Sequence, residues 1–252
     1  MRRLLAWLAL AVVAASCGSG GFFRQYEYEE EIYLSLNGTA TVYVNASVAA
    51  LNALRGTSLD TSPTAQLDCE QVRRFYTTPV THDVRVTTSR RNNRRFIHVR
   101  AAVDDVRRLG EAAPFAWSTY ELKQERDLFV YRQSLGAPTS RTVSNAGWTG
   151  REVVAVRLHL PSKIEYHNAL AGNLKRGNIL VWEQTLTERL RGEPIAIDAR
   201  METQSILYRT LWLFAATFAV VAVVFVAVIW WMFRRGVGTA RPGTYTENQV
   251  MP

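Results

Sequence analysis

Three groups of residues in this sequence could carry chemistry. Cys17 follows Ala14-Ala15-Ser16, at the end of an apolar run that starts at Leu4 behind Met1-Arg2-Arg3. A basic start, a short apolar stretch and small residues at the exit make a secretory signal. The Cys17 thiol is then a nucleophile placed to take a diacylglyceryl group, because only small neighbours let a processing enzyme reach it. Ordinary cleavage after Ser16 fits the same residues. The second group is Arg90, Arg91, Arg94 and Arg95, the densest charge between the two ends of the chain. Guanidinium groups bind phosphate oxygens in bidentate pairs, so these four are candidate contacts for lipid headgroups. A solvated hairpin tip accounts for the same run. The third group is His82, His98, His159 and His167, each in or beside an expected strand.

None of the histidines has ligand spacing such as His-x-x-x-His, and no metal site is expected. His82-Asp83 has the residue types of a catalytic pair, but neighbours in a strand point to opposite faces. Gly-x-Ser-x-Gly, a phosphate loop, Gly-x-Gly-x-x-Gly and Cys-x-x-Cys are all missing from the sequence, which lowers the case for an enzyme without excluding a spatial triad. No catalytic residue and no cofactor is expected. Glu27, Glu29 and Glu31 share the parity of Tyr33 and read as a solvated sheet face rather than a metal site. Asn37-Gly38-Thr39 and Asn45-Ala46-Ser47 match the glycosylation sequon; the first reads as a turn and the second as chance.

The elements that must position these residues follow from the pattern. Tyr26 to Val48 alternates around Asn37-Gly38, the strongest short hairpin signal, since both residues tolerate positive φ. Val48 to Arg55 predicts a helix stopped by Gly56, and Asp68 to Tyr76 a second one with Asp68 as cap. Asp83 to Thr88 and Phe96 to Ala102 predict a hairpin across a turn from Arg90 to Arg95. Asp104 to Leu109 predicts helical turns ended by Gly110. Thr119 to Lys123 and Leu128 to Arg132 make a third hairpin. After a loop from Gly136 to Gly150, Val153 to Leu160 reads as a strand ended by Pro161. Asn178 to Thr185 and Ile195 to Met201 are expected to form a last antiparallel pair across Gly192. This order predicts an α+β fold, an antiparallel sheet of hairpins with short helices on one face, plus one C-terminal transmembrane helix.

That last helix is the safest element. Leu211 to Phe233 is apolar apart from Thr217, has Trp212 at one edge and Trp230-Trp231 at the other, and is followed by Arg234-Arg235. About 20 apolar residues suffice to cross a bilayer. Arg234, Arg235 and Arg241 put the tail in the cytoplasm by the positive-inside rule, and the N-terminal signal independently puts the middle segment outside. The expected organisation is a signal peptide over 1–16, a lipidated tether over 17–23, an exported domain over 24–205, a membrane span over 210–233 and a cytoplasmic tail over 234–252. The chain carries +8 overall. Between residues 18 and 210, twenty-five basic residues face twenty-one acidic ones, a scattered excess that suits an anionic membrane surface and is no nucleic-acid footprint. Two cysteines are too few for a disulfide scaffold. With Cys17 lipidated, Cys69 is expected as a buried thiol; the competing reading is a Cys17–Cys69 disulfide.

Ala14-Ala15-Ser16-Cys17 resembles the bacterial lipobox, with Ala14 where Leu is commoner. The strand–Asn-Gly–strand entry at Glu29 to Ser47 and the run Asn178-Ile179-Leu180-Val181-Trp182-Glu183 extend the likeness, so that the whole plan resembles the LppM-type bacterial lipoproteins. The resemblance implies a lipid-anchored, β-rich α+β domain of the cell envelope that binds glycolipid; with the catalytic motifs missing, the expected function is that of a non-enzymatic protein whose exported domain contacts membrane lipid or glycolipid. It transfers no binding residues. The expected partners are membrane lipids and, in a second reading, envelope proteins recruited to an exposed strand edge by a scaffold or assembly subunit.

Overall fold

The computed structural model describes residues 25–139, 146–170, 174–175 and 178–236. Cys17, the signal, the tether and most of the tail lie outside them. The described chain divides into two units, meeting at Ser205/Ile206, and each is taken by itself.

The first unit is α+β and contains two sheets. β1 (Gln25–Leu34) and β2 (Ala40–Ser47) form the expected hairpin. Gly38 sits at φ +92° in its turn and donates to the Ser35 carbonyl at 3.0 Å, a conformation that favours glycine. α1 (Val48–Arg55) follows directly. Ser47 caps it by accepting from the Ala50 amide, and Gly56, at φ +67°, ends it. α2 (Cys69–Tyr76) starts at Asp68, whose carboxylate accepts from the Glu70 and Gln71 amides. β3 (Thr81–Arg91) and β4 (Arg94–Val103) come next, then two 3₁₀ segments, Val106–Glu111 and Ala113–Phe115. β5 (Ser118–Glu125), β6 (Leu128–Leu135), β7 (Glu152–His159), β8 (Ser162–His167), β9 (Leu174–Lys175), β10 (Ile179–Thr185), α3 (Leu186–Leu190) and β11 (Ile195–Ser205) complete the unit.

The larger sheet has the order β3-β4-β2-β1-β7-β10-β9 and the smaller one β5-β6-β11-β8. Every pairing is antiparallel except β1 with β7. The core is one cluster that takes Tyr28, Ile32, Val42, Val44 and Ile97 from the larger sheet and Tyr120, Tyr131, Ile197 and Met201 from the smaller. α1 is buried along its whole length.

Three expectations need correction. β10 and β11 do not pair with each other: β10 joins β7 in one sheet and β11 joins β6 and β8 in the other. Between them α3 is fixed by a capping box, with Thr185 and Glu188 each satisfying the other's backbone amide, so the connection is a helix that changes sheets and not a hairpin turn. Gly110 does not end a helix; it lies within the first 3₁₀ segment, where a Cβ would come within 2.8 Å of the Ser118 carbonyl oxygen. The glycine is there for close approach. The acidic face of β1 is not solvated at its start. Glu27 is wholly buried, and Glu29 and Glu31 are half-buried against Arg157 and His159 of β7, because β1 has a strand on each side and the segment carrying Trp148 covers its beginning.

The second unit is α4 (Ile206–Gly236), the one helix among the described residues long and apolar enough to cross a membrane. At 1.5 Å per residue it is about 46 Å long, more than the roughly 30 Å hydrocarbon thickness. Its large apolar side chains are exposed throughout, which is consistent with a single-pass anchor. Thr217, the polar exception, returns its hydroxyl to the Leu213 carbonyl at 2.8 Å. The Arg234 and Arg235 guanidinium groups lie over the Trp230 and Trp231 rings, at 5.0 and 4.2 Å from their centroids.

Candidate functional site

The β3–β4 hairpin closes on two residues, Asn92 and Asn93, both at positive φ, the backbone of the tight turn that matches strand twist. The four arginines are therefore strand residues rather than turn residues, and the register decides what each can do. Arg91 lies opposite Arg94, and Arg90 opposite Arg95. Directly opposed residues share a face and successive ones alternate, so the quartet splits into two pairs on opposite faces and is not a single patch.

On the outer face, Arg94 donates to the Glu27 carboxylate at 2.6 Å and to the Gly147 carbonyl, with Glu152 at 3.7 Å. Glu152 is itself held by the Thr149 and Gly150 amides, each at 2.8 Å. Burial alone would raise the Glu152 pKa, but these amide donors outweigh it and hold the carboxyl below its ordinary value. Arg94 thus pins the 146–150 segment to β1. Arg91 reaches the Tyr26 carbonyl at 2.9 Å and lies over the Phe96 ring. On the other face, Arg90 bonds Asn93 at 2.7 Å and is exposed, whereas Arg95 points to the α1 side and is 9% exposed.

Next to Arg91 a hydrogen-bonded chain crosses three strands. The Ser89 hydroxyl lies 2.7 Å from His98 Nε2, and His98 Nδ1 lies 2.9 Å from Asn45 Oδ1. Partial burial, and then the Arg91 charge, lower the His98 pKa, so the ring is neutral at pH 7. These are the residue types of a nucleophile, a base and an orienting group. The three side chains share a cavity of about 240 Å³ with Tyr26, Glu29, Arg91 and Phe96, so the charged donor beside them is the Arg91 guanidinium, already committed to the Tyr26 carbonyl. The ladder amides of β3 and β4 lie in the plane of the sheet, while the Ser89 hydroxyl stands above it. Two other histidines are engaged separately: His159 stacks on Tyr33 at 3.8 Å and meets Glu31, and His82 is 3.7 Å from Asp104; the His167 Nδ1 is buried without a hydrogen-bond partner among the described residues.

A second concave surface belongs to the helices. A groove of about 570 Å³ runs between the C-terminal end of α1 and α2. Leu51, Leu59, Val72 and Phe75 supply its apolar lining, and Ser58, Gln71 and Arg74 its polar one. Asn52 shapes the wall. Its side chain accepts from the Thr57 hydroxyl at 2.6 Å and the Leu59 amide at 3.0 Å, and donates to the Leu59 carbonyl at 2.7 Å.

Sequence reasoning missed the most connected polar group. Glu30 is wholly buried between the sheets. One carboxylate oxygen accepts from the Tyr120 hydroxyl at 3.0 Å and the Gln133 amide at 3.1 Å, and the other from the Tyr28 hydroxyl at 3.3 Å and Arg55 at 3.2 Å. The Arg55 guanidinium also lies 3.3 Å from the centroid of the Trp117 ring. The available signal was parity, since Tyr28, Glu30 and Ile32 share one face. Cys69 corrects a further expectation: it is half-buried, because it occupies the first position of α2, where the chain emerges from an exposed loop.

No protein-family profile matches this chain, and no curated protein sequence does. Among solved structures, the NMR structure of the folded domain of the Mycobacterium tuberculosis LppM protein is similar, with a TM-score of 0.41 and 12% sequence identity over 73% of this chain and 94% of that one.

Proposed function

We propose that this chain is a membrane-anchored, non-enzymatic lipoprotein of the bacterial cell envelope, and that its exported domain binds lipid or glycolipid in the α1–α2 groove. The observation that carries the reading is the make-up of that groove. Its volume falls within the roughly 300–1,000 Å³ of small-molecule sites, and an apolar lining with few polar groups is what such sites use. Leu51, Leu59, Val72 and Phe75 suit an acyl chain, and Gln71, Ser58 and Arg74 suit a polar head. In this reading Cys17 carries the lipid anchor, α4 crosses the inner membrane, the tail is cytoplasmic, and the hairpin arginines Arg90, Arg91, Arg94 and Arg95 face anionic headgroups where they are not committed within the domain.

A scaffold reading has its own support in β3, an edge strand of eleven residues that is mostly exposed and open to strand addition. The same strand carries Arg85, Arg90 and Arg91 and a register break between His82 and Arg85, devices that discourage edge pairing. The groove reading is therefore preferred.

Native mass spectrometry of residues 24–205, exported to a bacterial periplasm, tests it. A co-purifying lipid mass is expected, released on denaturation and lost in Ser58→Trp, which places an indole at the exposed mouth of the groove. A clean apo mass that stays unchanged after incubation with envelope lipid extract would refute the reading.

A further inference from the structure

Arg95 has no ion-pair or hydrogen-bond partner among the described residues, although it is nine-tenths buried, and its Nη2 is fully enclosed. Directly across the strand pair stands another cation, Arg90; like charges so placed repel, and a buried charge without a counter-charge is strongly unfavourable. The arrangement calls for an anion. Arg95 lines a cavity of about 250 Å³ whose wall also includes Ser47, Val48 and Ala49, the opening turn of α1. The N-terminus of a helix offers unpaired amides and a partial positive charge to an anion. Ser47 takes one of those amides, Ala50, at 3.0 Å.

The rest of the wall does not cancel this field. Arg94 and Gly147 close one side. Arg94 is matched by Glu27, and neither Glu27 nor Glu152 lines the cavity. Both carboxylates are occupied elsewhere, Glu27 by Gln25, Arg94 and Trp148, and Glu152 by the Thr149 and Gly150 amides. What remains is one unmatched guanidinium beside a helix N-terminus, in a space that holds a tetrahedral ion with a few waters, each needing about 30 Å³.

We propose that this cavity binds a phosphate-type oxyanion, free or as the terminal phosphate of a lipid headgroup, through Arg95 and the first turn of α1. The site lies at the opposite end of α1 from the groove and does not depend on the groove holding lipid.

The test uses the full chain in micelles of an uncharged detergent, at constant ionic strength set with chloride. Inorganic phosphate is titrated, and binding is followed by equilibrium dialysis of labelled phosphate and by thermal unfolding. Saturable binding is expected, with a rise in Tm that follows mass action. Arg95→Met should weaken binding at least tenfold. It should also unfold no lower than the unchanged protein in phosphate-free buffer, because it removes a buried unmatched charge. Arg108→Gln, whose guanidinium pairs with the exposed Glu111, should leave binding unchanged. In parallel, the micelles are doped with phosphatidic acid or with phosphatidylcholine. An Arg95-dependent rise with phosphatidic acid alone assigns the site to a headgroup, and one with inorganic phosphate alone assigns it to the free ion. Either supports the proposal. An equal rise in the wild type and Arg95→Met would be the general effect of an excluded salt and would overturn it, as would no saturable binding of either source. Should Arg95→Met not fold, Arg95→Lys reads the same quantity: a loss of threefold or more supports the site, and unchanged affinity overturns it.

Discussion

Replacing Arg55 with Met strands the Glu30 carboxylate in the middle of the intersheet core. Both side chains are essentially out of contact with solvent, at 2% and 0% exposure, so screening by water does not soften the change. At their 3.2 Å separation and an effective dielectric of about 20, the attraction removed is about 5 kcal/mol. Tyr28, Tyr120 and Gln133 continue to donate to the carboxylate, and relaxation returns part of the loss. The expected cost is about 3–5 kcal/mol, the range found when a buried pair loses one partner. Urea denaturation of residues 24–205, followed by tryptophan fluorescence to which Trp117 contributes, measures it. With a slope of about 2 kcal/mol/M, the midpoint should fall by about 1.5–2.5 M. Glu30→Gln should cost a similar amount, and the double variant less than the sum of the singles by at least about 2 kcal/mol, since neither residue then leaves the other uncompensated. A cost below about 1 kcal/mol for Arg55→Met, or additive singles, would show that the core does not rest on a buried ion pair, and the argument would fail.

Other consequences follow from the same structure. Burial, reinforced by the Glu30 charge, pushes the phenols of Tyr120 and Tyr131 well above their ordinary pKa of 10; burial does the same to Tyr28 and Tyr76 against the opposing pull of Arg55. The folded domain then holds these protons more tightly than the unfolded chain, so stability is intact below about pH 10 and falls as the pH rises beyond it. Urea midpoints measured from pH 8 to 11 check this, together with absorbance at 295 nm, in which the increment from these four phenols should appear only on unfolding; their ionisation near pH 10 in the folded state would contradict it. Gly110→Ala should destabilise by about 1–3 kcal/mol, because its methyl group meets a backbone oxygen that cannot rotate away; no change in urea midpoint would place that turn wrongly. Asp68→Ala, which removes the acceptor for the Glu70 and Gln71 amides in the first turn of α2, should cost about 1 kcal/mol by the same assay, and Asp68→Asn much less.

What was legible in the sequence was local. Asn37-Gly38 marks the first hairpin, Gly56 ends α1 and Asp68 starts α2, because each signal acts within a turn of itself. The α+β class and the long apolar helix were readable for the same reason. Partner choice between strands was not. Ile195 to Met201 has the alternation of any half-buried strand, and nothing in it distinguishes β10, its neighbour in sequence, from β6 and β8, its neighbours in space. The clue lay in Thr185 and Glu188, a capping-box pair that replaces a turn with a helix. The parallel β1–β7 pair was equally hidden, since the residues that set its register lie about 125 positions apart.

The candidate sites follow the same division. Composition identified four arginines as the densest charge, but charge density says nothing about faces. The two-residue turn at Asn92-Asn93 sends Arg91 and Arg94 to one side and Arg90 and Arg95 to the other, and the two sides have opposite fates. Arg94 finds Glu27, an acid supplied by the strand β1, and becomes a clamp. Arg95 meets no acid among the described residues and faces the opening turn of α1. One short helix therefore has a mixed apolar and polar groove at its C-terminal end and an electropositive cavity at its N-terminal end, about 12 Å apart at 1.5 Å per residue. Its position is fixed by Ser47 at one end, by Gly56 and Asn52 at the other, and by Arg55 locked to Glu30 below. The buried ion pair is thus tied to the same element as both cavities. Arg55→Met should loosen the groove and the anion cavity together, whereas Ser58→Trp and Arg95→Met should each disturb one and leave the other intact.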